Sequence, residues 1–159
     1  KIMRKNILIT GGFGLLGSNL YKFLNKKKYN VYLLDKKKNF LRKNYLNIDK
    51  KKVFLGDYLD KKLVKKIIIN KKINVIFHTG AVTQVLEALE NPEHTYLNNI
   101  FGTLNFLEII KSIKKKIIFI YSSSDKAYGE VGKKSYKEET CLNSIFPYDV
   151  SKSCADLIC

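Results

Sequence analysis

Short apolar segments alternate with helical segments along the whole sequence, and this alternation limits the possible fold more than any other feature. Apolar runs predict strands at residues 6–10, 31–34, 53–55, 75–77 and 117–121. Helical spacing predicts helices at residues 15–24, 60–70, 84–90 and 95–111 and after Pro147. Strands separated by helices form βαβ units. We therefore predict an α/β fold, a doubly wound parallel sheet with helices on both faces.

The first predicted strand leads directly into a glycine-rich turn, TGGFGLLGSNL, that opens a helix. Gly11, Gly14 and Gly17 have the GxxGxxG spacing, and a turn without side chains lets backbone N–H groups approach a pyrophosphate. Asp35 ends the second strand eighteen residues after Gly17, where an acid would hydrogen-bond a ribose hydroxyl. Together these residues predict a dinucleotide site and a sheet of the Rossmann type.

The charges after the second strand bear on which dinucleotide is bound. A carboxylate at Asp35 would repel a 2′-phosphate, which favours NAD over NADP. Lys36, Lys37 and Lys38 follow directly, and any of them could neutralise such a phosphate. We expect NAD, with NADP as the less favoured alternative.

Composition restricts the partners and the location. The formal net charge of +16 suggests a polyanion, but only Arg4 and Arg42 are arginines, and nucleic-acid readers depend on Arg for bidentate contacts. We expect neither specific nucleic-acid binding nor membrane insertion, since the apolar runs are too short to span a bilayer. Three cysteines without a CxxC pair favour a reduced cytoplasm. His78 and His94 have no ligand-spaced partners, so no metal is expected.

Several motifs in order resemble the extended short-chain dehydrogenase/reductase family, the sugar-nucleotide epimerases and dehydratases. The motifs are TGGFGLLG at 10–17, GD at 56–57, HTGA at 78–81, NNIFGT at 98–103 with Asn99 as its first family position, and YDVSK at 148–152. The resemblance covers essentially all of the chain. At 79–80, Thr-Gly replaces the apolar residue and alanine that are usual in the family, and we expect no functional effect from it.

The resemblance implies a set of cofactor-binding residues. In the family, the acid at Asp57 contacts adenine, the segment after His78 lies beside the cofactor, and Asn99 helps to hold the active site. The implied set is Gly11, Phe13, Gly14, Leu15, Leu16, Gly17, Asp35, Asp57, Tyr58, Thr79, Gly80, Ala81, Asn99, Tyr148 and Lys152.

Tyr148 and Lys152 are four residues apart, so on a helix they face the same way. A free phenol is a poor base at neutral pH, but a neighbouring ammonium and a cationic nicotinamide favour its ionised form. The resemblance implies that Tyr148 removes a proton from a sugar hydroxyl while hydride leaves the same carbon. Lys152 would also hold the nicotinamide ribose.

The stretch YSSSDKAYG at residues 121–129 follows the fifth predicted strand. In the resembled family, the hydroxyl at the position of Ser124 binds the substrate hydroxyl that is oxidised. Sugar 4-epimerases generally have small or non-ionisable residues next, whereas 4,6-dehydratases need an acid at O6 and a base at C5. Asp125 and Lys126 match these two roles, in the form most similar to the CDP-glucose 4,6-dehydratase type. The alternative is that Lys126 only pairs with Asp125 or another acid.

The implied function is that of an NAD-dependent nucleotide-sugar 4,6-dehydratase, a lyase acting on a nucleotide sugar. Two alternatives stay open: a 4-epimerase or C4 reductase of the same family, and a non-catalytic NAD- or nucleic-acid-binding module. Residues 1–159 are expected to form one NAD(P)-binding Rossmann domain, C-terminally truncated, because the helix after Pro147 has no stop signal. The family's C-terminal sugar-nucleotide domain would then be absent, and this piece alone is expected to be inactive. The full-length protein is expected to be a homodimer.

Overall fold

The computed structural model describes residues 5–27, 29–37, 44, 46–132 and 135–159. Within them, a five-stranded sheet has the order β3-β2-β1-β4-β5. Its strands are β1 (Asn6–Thr10), β2 (Asn30–Asp35), β3 (Val53–Leu55), β4 (Val75–His78) and β5 (Ile118–Tyr121). The predicted strands are confirmed to within one residue at each end. The parallel sheet and its connecting helices confirm the predicted α/β, Rossmann-type fold.

The central strand, β1, explains why the sheet is buried. Ile7 pairs with Val31 of β2 on one side and with Val75 of β4 on the other. Leu8 and Ile9 are fully buried on opposite faces of the strand. A strand covered on both faces must be apolar without alternation, and NILIT has this composition.

The helices are regular except for one segment. The described helices are α1 (Leu15–Lys26), α2 (Lys61–Asn70), α3 (Val85–Glu90), α4 (Pro92–Tyr96), α5 (Gly102–Ile113) and α6 (Pro147–Ile158). Two 3₁₀ turns (Lys50–Lys52, Asp125–Tyr128) and a π-helical turn (Leu97–Phe101) complete the set. The helix predicted at 95–111 is helical throughout, but it extends from Pro92 to Ile113 and contains the π-helical turn. It begins at Pro92, because the Asn91 side chain accepts the His94 N–H at 3.1 Å and caps it.

The chain divides into two compact units. The first comprises Lys1–Gly80 and Glu108–Ile120, and the second comprises Ala81–Leu107 and Tyr121–Cys159. The first unit contains β1–β4, most of β5, α1 and α2. The second contains α3, α4, the π-helical turn, the first half of α5 and α6. The single domain expected over residues 1–159 stays a prediction.

None of the described helices combines the length and the apolar character needed to cross a bilayer. Cys141, Cys154 and Cys159 are free thiols.

Candidate functional site

In the first unit, the glycine-rich turn closes tightly on the segment after β4. Gly11 has φ +60°, in the left-handed region, and a Cβ built on it would lie 2.8 Å from the Cα of Gly80. The Gly14 N–H donates to the Gly11 carbonyl at 2.9 Å. Any side chain at position 11 would therefore be both strained and sterically blocked.

The turn leaves the N-terminus of α1 open to a ligand. Gly14 is the N-cap and has no side chain to cap the first-turn N–H groups, and no acidic residue occurs in that turn. Leu15 and Leu16, the next residues, have exposed side chains. Uncapped N–H groups at the start of a twelve-residue helix favour an anion. The backbone of this turn thus fits the pyrophosphate of a dinucleotide.

Asp35, the predicted ribose ligand, is fixed at the end of β2. Its Oδ2 accepts the Phe13 N–H at 2.8 Å, which ties the carboxylate to the glycine-rich turn. The Lys37 N–H lies 3.4 Å from Oδ1, a long and weak contact. Since a carboxylate accepts about four hydrogen bonds, Asp35 keeps capacity for a ribose hydroxyl.

Asp57, the predicted adenine ligand, follows β3 and is paired. Its Oδ1 accepts the Leu59 N–H at 2.9 Å, and its Oδ2 lies 3.0 Å from Lys36 Nζ. The neighbouring Tyr58 is buried. Burial, and to a lesser extent the carboxylates of Asp57 and Asp35, raises the pKa of Tyr58 well above its usual value, so this phenol stays neutral.

Thr10 organises the segment after β4. The His78 Nδ1 lies 2.8 Å from Thr10 Oγ1, which also accepts the Gly80 N–H at 3.0 Å. The Thr79 hydroxyl donates to the Thr10 carbonyl at 2.6 Å. A Cβ on Gly80 would lie 2.9 Å from the Tyr58 ring. The departure from the family's usual pair at 79–80 therefore has a local cause, since Thr79 gains a hydrogen bond and Gly80 makes room for a tyrosine.

In the second unit, the side chain of Asn99 is buried and forms hydrogen bonds with two other segments. Its Oδ1 accepts the Val82 N–H at 2.8 Å, and its Nδ2 donates to the Val82 carbonyl at 3.0 Å and to Ser151 Oγ at 2.9 Å. Ser151 Oγ donates in turn to the Tyr148 carbonyl at 2.6 Å. Asn99 thus ties the start of α6 to the segment that contains Val82 and, next to it, Ala81. This accounts for a role in holding the site, and direct contact with a cofactor stays a prediction.

Tyr148 and Lys152 lie one turn apart on α6, as the spacing predicted. Tyr148 is half-buried, whereas Lys152 is only 3% exposed. The Lys152 Nζ donates to the Ser122 carbonyl at 2.6 Å and lies 4.7 Å from the centre of the Tyr121 ring. Burial lowers the pKa of Lys152 to about 8, and Asp156 opposes this shift. The ammonium is therefore held close to the end of β5 and loses its proton more readily than an ordinary lysine.

Ser124, Asp125 and Lys126 form the start of the 3₁₀ turn after β5. Ser124 is its N-cap, because Ser124 Oγ accepts the Lys126 N–H at 3.2 Å, and the same hydroxyl lies 3.2 Å from Asp125 Oδ1. Both ionisable side chains are exposed. In the part of the chain that the structure describes, the ion pairs do not include one between Asp125 and Lys126, so the alternative that these two merely neutralise each other is not favoured.

Ser124 and Asp125 line a cavity of about 420 Å³ within the second unit. Its other lining residues are Ser123, Ala127, Tyr128, Leu142 and Asp156. This volume is in the range of small-molecule sites. Hydroxyl groups and two carboxylates in one cavity suit a polyhydroxylated ligand. Asp156 was not among the predicted site residues. It lies near the C-terminal end of α6, outside the YxxxK motif, so no motif in the sequence pointed to it.

Asp149 is a second acid that the sequence did not single out. It follows Tyr148 and is buried, with 7% of its surface exposed. Burial raises its pKa, Lys126 lowers it, and Asp125 and Glu130 raise it further. Within YxxxK this residue is only a variable position, so its environment becomes visible when α6 is placed against the 3₁₀ turn.

A family model described as GDP-mannose 4,6 dehydratase matches residues 8–159. The chain is 34% identical over 147 residues to UDP-glucose 4-epimerase from Lactobacillus helveticus, covering 92% of this chain and 43% of that protein. It is also 34% identical over 169 residues to dTDP-D-glucose 4,6-dehydratase from Dictyostelium discoideum, covering 96% and 39%. Most of the similar proteins are named as epimerases.

Solved structures share the fold. UDP-glucose 4-epimerase from Brucella ovis, crystallised in complex with NAD, has a TM-score of 0.86 and 26% identity, covering 97% of this chain and 46% of that one. NAD in that complex agrees with the cofactor expected from Asp35. This chain spans less than half of the length of these relatives.

Proposed function

Because the chain belongs to the GDP-mannose 4,6 dehydratase family of NAD-dependent nucleotide-sugar epimerases and dehydratases, we propose that it is the NAD-binding and catalytic part of a nucleotide-sugar 4,6-dehydratase. The observation that carries the proposal is the placement of Asp125 and Lys126 directly after Ser124, with Asp125 and Ser124 lining one cavity. An epimerase needs no further acid or base at this point, whereas elimination of water needs both.

NAD is the cofactor that the first unit fits best. The glycine-rich turn would hold the pyrophosphate through its N–H groups, Asp35 a ribose hydroxyl, and Asp57 the adenine. A bound NAD supplies hydride acceptance at C4 of the sugar and hydride return at C6. The chain's own residues must then move the protons.

Oxidation at C4 is assigned to Ser124, Tyr148 and Lys152. Ser124 orients the C4 hydroxyl, and Tyr148 takes its proton. The role of Lys152 is to favour the ionised phenol. Burial lowers its pKa to about 8, and at neutral pH most of the side chain still carries its proton. The Asn99–Ser151 contacts fix the helical turn on which Tyr148 lies.

Elimination is assigned to Asp125 and Lys126. Lys126 is assigned the C5 proton, which the C4 ketone makes acidic. Asp125, as the acid, gives a proton to the C6 oxygen, which leaves as water while the C5–C6 double bond forms. Hydride return to C6 is completed when Lys126 gives its proton to C5. The product is a 4-keto-6-deoxy sugar nucleotide, with one water released and the cofactor unchanged. Exchange with solvent removes the proton that Tyr148 gained and replaces the one that Asp125 lost, so the protons balance.

A 4-epimerase is the second candidate, and the names of most relatives favour it. It would use Ser124, Tyr148 and Lys152 in the same way and leave Asp125 and Lys126 idle. The two candidates therefore differ in whether the sugar loses water.

Mass spectrometry of the complete protein's products tests the proposal. The complete protein is incubated with NAD and CDP-, dTDP-, GDP- and UDP-hexoses, and we expect loss of one water from one of them. With Asp125→Asn, we expect C4 oxidation to continue and reduced cofactor to accumulate, because O6 has no acid. Unchanged masses together with a new epimer in the NMR spectrum would replace the dehydratase by an epimerase.

We also propose that the complete protein pairs with a second copy of itself. Leu97, Phe101 and Leu104 are exposed apolar side chains at i, i+4 and i+7, on one face of the helical segment. Light scattering should give a dimer that Phe101→Asp converts to a monomer. Phe23→Asp, at an exposed phenylalanine of α1, is the matched control and should leave the dimer intact. A monomeric unmodified protein would end this proposal.

A further inference from the structure

Two charged side chains meet after β2 and β3, next to the acid assigned to the cofactor's ribose. Lys36 Nζ lies 3.0 Å from Asp57 Oδ2 and 5.4 Å from the centre of the Tyr58 ring. We propose that this ion pair makes the protein selective for NAD over NADP, because Asp57 holds the ammonium that would otherwise neutralise a 2′-phosphate. The inference goes beyond the proposed function, since it concerns cofactor binding and requires no particular reaction.

Lys36 occupies the position where a phosphate-binding cation would be expected. It directly follows Asp35, whose Oδ2 accepts the Phe13 N–H of the glycine-rich turn. NADP differs from NAD by a phosphate on the ribose hydroxyl that such an acid binds. The cation beside the acid therefore decides how well that group is tolerated, and a lysine ammonium is a common phosphate ligand.

The loop after β3 orients Asp57 for this pairing. Its Oδ1 is engaged by the Leu59 N–H at 2.9 Å, and its Oδ2 contacts Lys36. The Tyr58 ring adds a cation–π contact to the same ammonium. Because Tyr58 stays a neutral phenol, its ring contributes no negative charge of its own. Asp57 and Tyr58 together hold Lys36 towards the end of β3.

The charges of this cluster oppose a phosphate. Asp35 and Asp57 each contribute one negative charge and Lys36 one positive charge, so the cluster is net negative while the pair is intact. Replacing Asp57 by asparagine would make the cluster neutral and remove the carboxylate that lies 3.0 Å from the ammonium of Lys36. Lys37, whose side chain is exposed, and Lys38, which lies outside the described residues, are the rival phosphate ligands.

The test is the ratio of the dissociation constants of NADPH and NADH, measured on the complete protein by the fluorescence of the reduced nicotinamide. We expect NADH to bind more tightly to the unmodified protein. Asp57→Asn should lower the NADPH/NADH ratio about threefold or more, the scale expected for one exposed ion pair. The ratio cancels any contact with adenine, which is common to both dinucleotides.

Two further variants distinguish the effect of the Lys36–Asp57 ion pair from the effect of removing any nearby negative charge. Asp60→Asn removes the same charge three residues away and retains a residue that can cap α2, so it should change the ratio by much less. In the Lys36→Gln background, Asp57→Asn should lose most of its effect. The proposal would be overturned if Asp60→Asn lowered the NADPH/NADH ratio as much as Asp57→Asn does. It would also be overturned if the effect of Asp57→Asn on the ratio persisted in the Lys36→Gln background, or if that effect disappeared only in a Lys37→Gln background.

Discussion

The cofactor-binding turn of the first unit and the reactive segment of the second are built in different ways. At the turn, the backbone determines the geometry: Gly11 has a left-handed φ and closely approaches Gly80, and Asp35 is tied to the Phe13 N–H. At the reactive segment, Ser124–Lys126, the proposed elimination depends on the exposed side chains of Asp125 and Lys126, which lie on a 3₁₀ turn that Ser124 Oγ caps by accepting the Lys126 N–H.

This difference has a consequence for how such a protein changes its reaction. Replacing a residue of the cofactor-binding turn disturbs the packing of the first unit. Replacing Asp125 or Lys126 removes little buried contact, so the reaction can change while the fold is retained. The similar proteins include both epimerases and dehydratases.

The largest effect is expected at Lys126. Lys126→Met should lower the rate of dehydration by about 10²–10⁴-fold, the range for loss of a general base. The free energy of unfolding should change by less than about 0.5 kcal/mol, because the side chain is exposed. Product mass spectrometry and urea denaturation of the complete protein measure the two quantities.

Lys137→Met is the matched control for that change. Lys137 is also an exposed lysine of the second unit, and it lies outside the 3₁₀ turn that contains Lys126. Neither lysine is among the residues that line the cavity. It should retain dehydration at nearly the full rate. If both variants dehydrate equally well, the reactive segment does not supply the base. The two regions would then still differ in how they are built, but not in which of them supplies the base.

The same contrast explains how much could be predicted from the sequence. The glycine-rich turn and the strands were predictable because an apolar run closed by glycine or aspartate is a local signal. The apolar pattern at 95–111 does not reach the first turn of the helix, which begins at Pro92 and is capped by the Asn91 side chain. Its π-helical turn contains Asn99, which contacts Val82 and Ser151, residues 17 and 52 positions away. No local pattern contains such contacts.

The candidate site was predictable in its residue types and not in its environment. The motif supplied Tyr148 and Lys152, but the burial of Lys152 and its contact with the Ser122 carbonyl need the placed helix. Asp149 and Asp156 were missed for the same reason, because which side of α6 faces the 3₁₀ turn is a tertiary property.

The second prediction concerns Gly11. Gly11→Ala should lower the free energy of unfolding by about 2–4 kcal/mol, since the left-handed backbone costs about 1 kcal/mol and the clash adds to it. It should also abolish measurable NAD binding. Gly132 has a similar φ of +65°, but a Cβ there meets nothing within 4 Å. Gly132→Ala should therefore cost only about 1 kcal/mol, and equal losses in the two variants would show that the approach to Gly80 is unimportant.

The third prediction concerns the stability effect of Lys152, which is smaller than that of Gly11 and depends on pH. Burial lowers its pKa from 10.5 to about 8 in the folded protein, so the unfolded chain binds the proton more tightly between these values. Below about pH 8 the buried ammonium opposes folding by its full amount, and this cost disappears as the pH rises towards 10.5. Lys152→Met should thus raise the free energy of unfolding by about 1–3 kcal/mol at pH 7, even though the proposed function expects it to remove catalysis.

The gain from Lys152→Met should shrink steadily between pH 8 and 10, which urea denaturation at several pH values can measure. Subtracting the curve of the unmodified protein removes the titration of the other lysines. A gain that stays constant with pH would mean that Lys152 keeps an ordinary affinity for its proton despite its burial. In that case the Ser122 carbonyl and the Tyr121 ring would stabilise the ammonium as effectively as water does. The surroundings of Lys152 would then determine its geometry as closely as the backbone determines that of the glycine-rich turn.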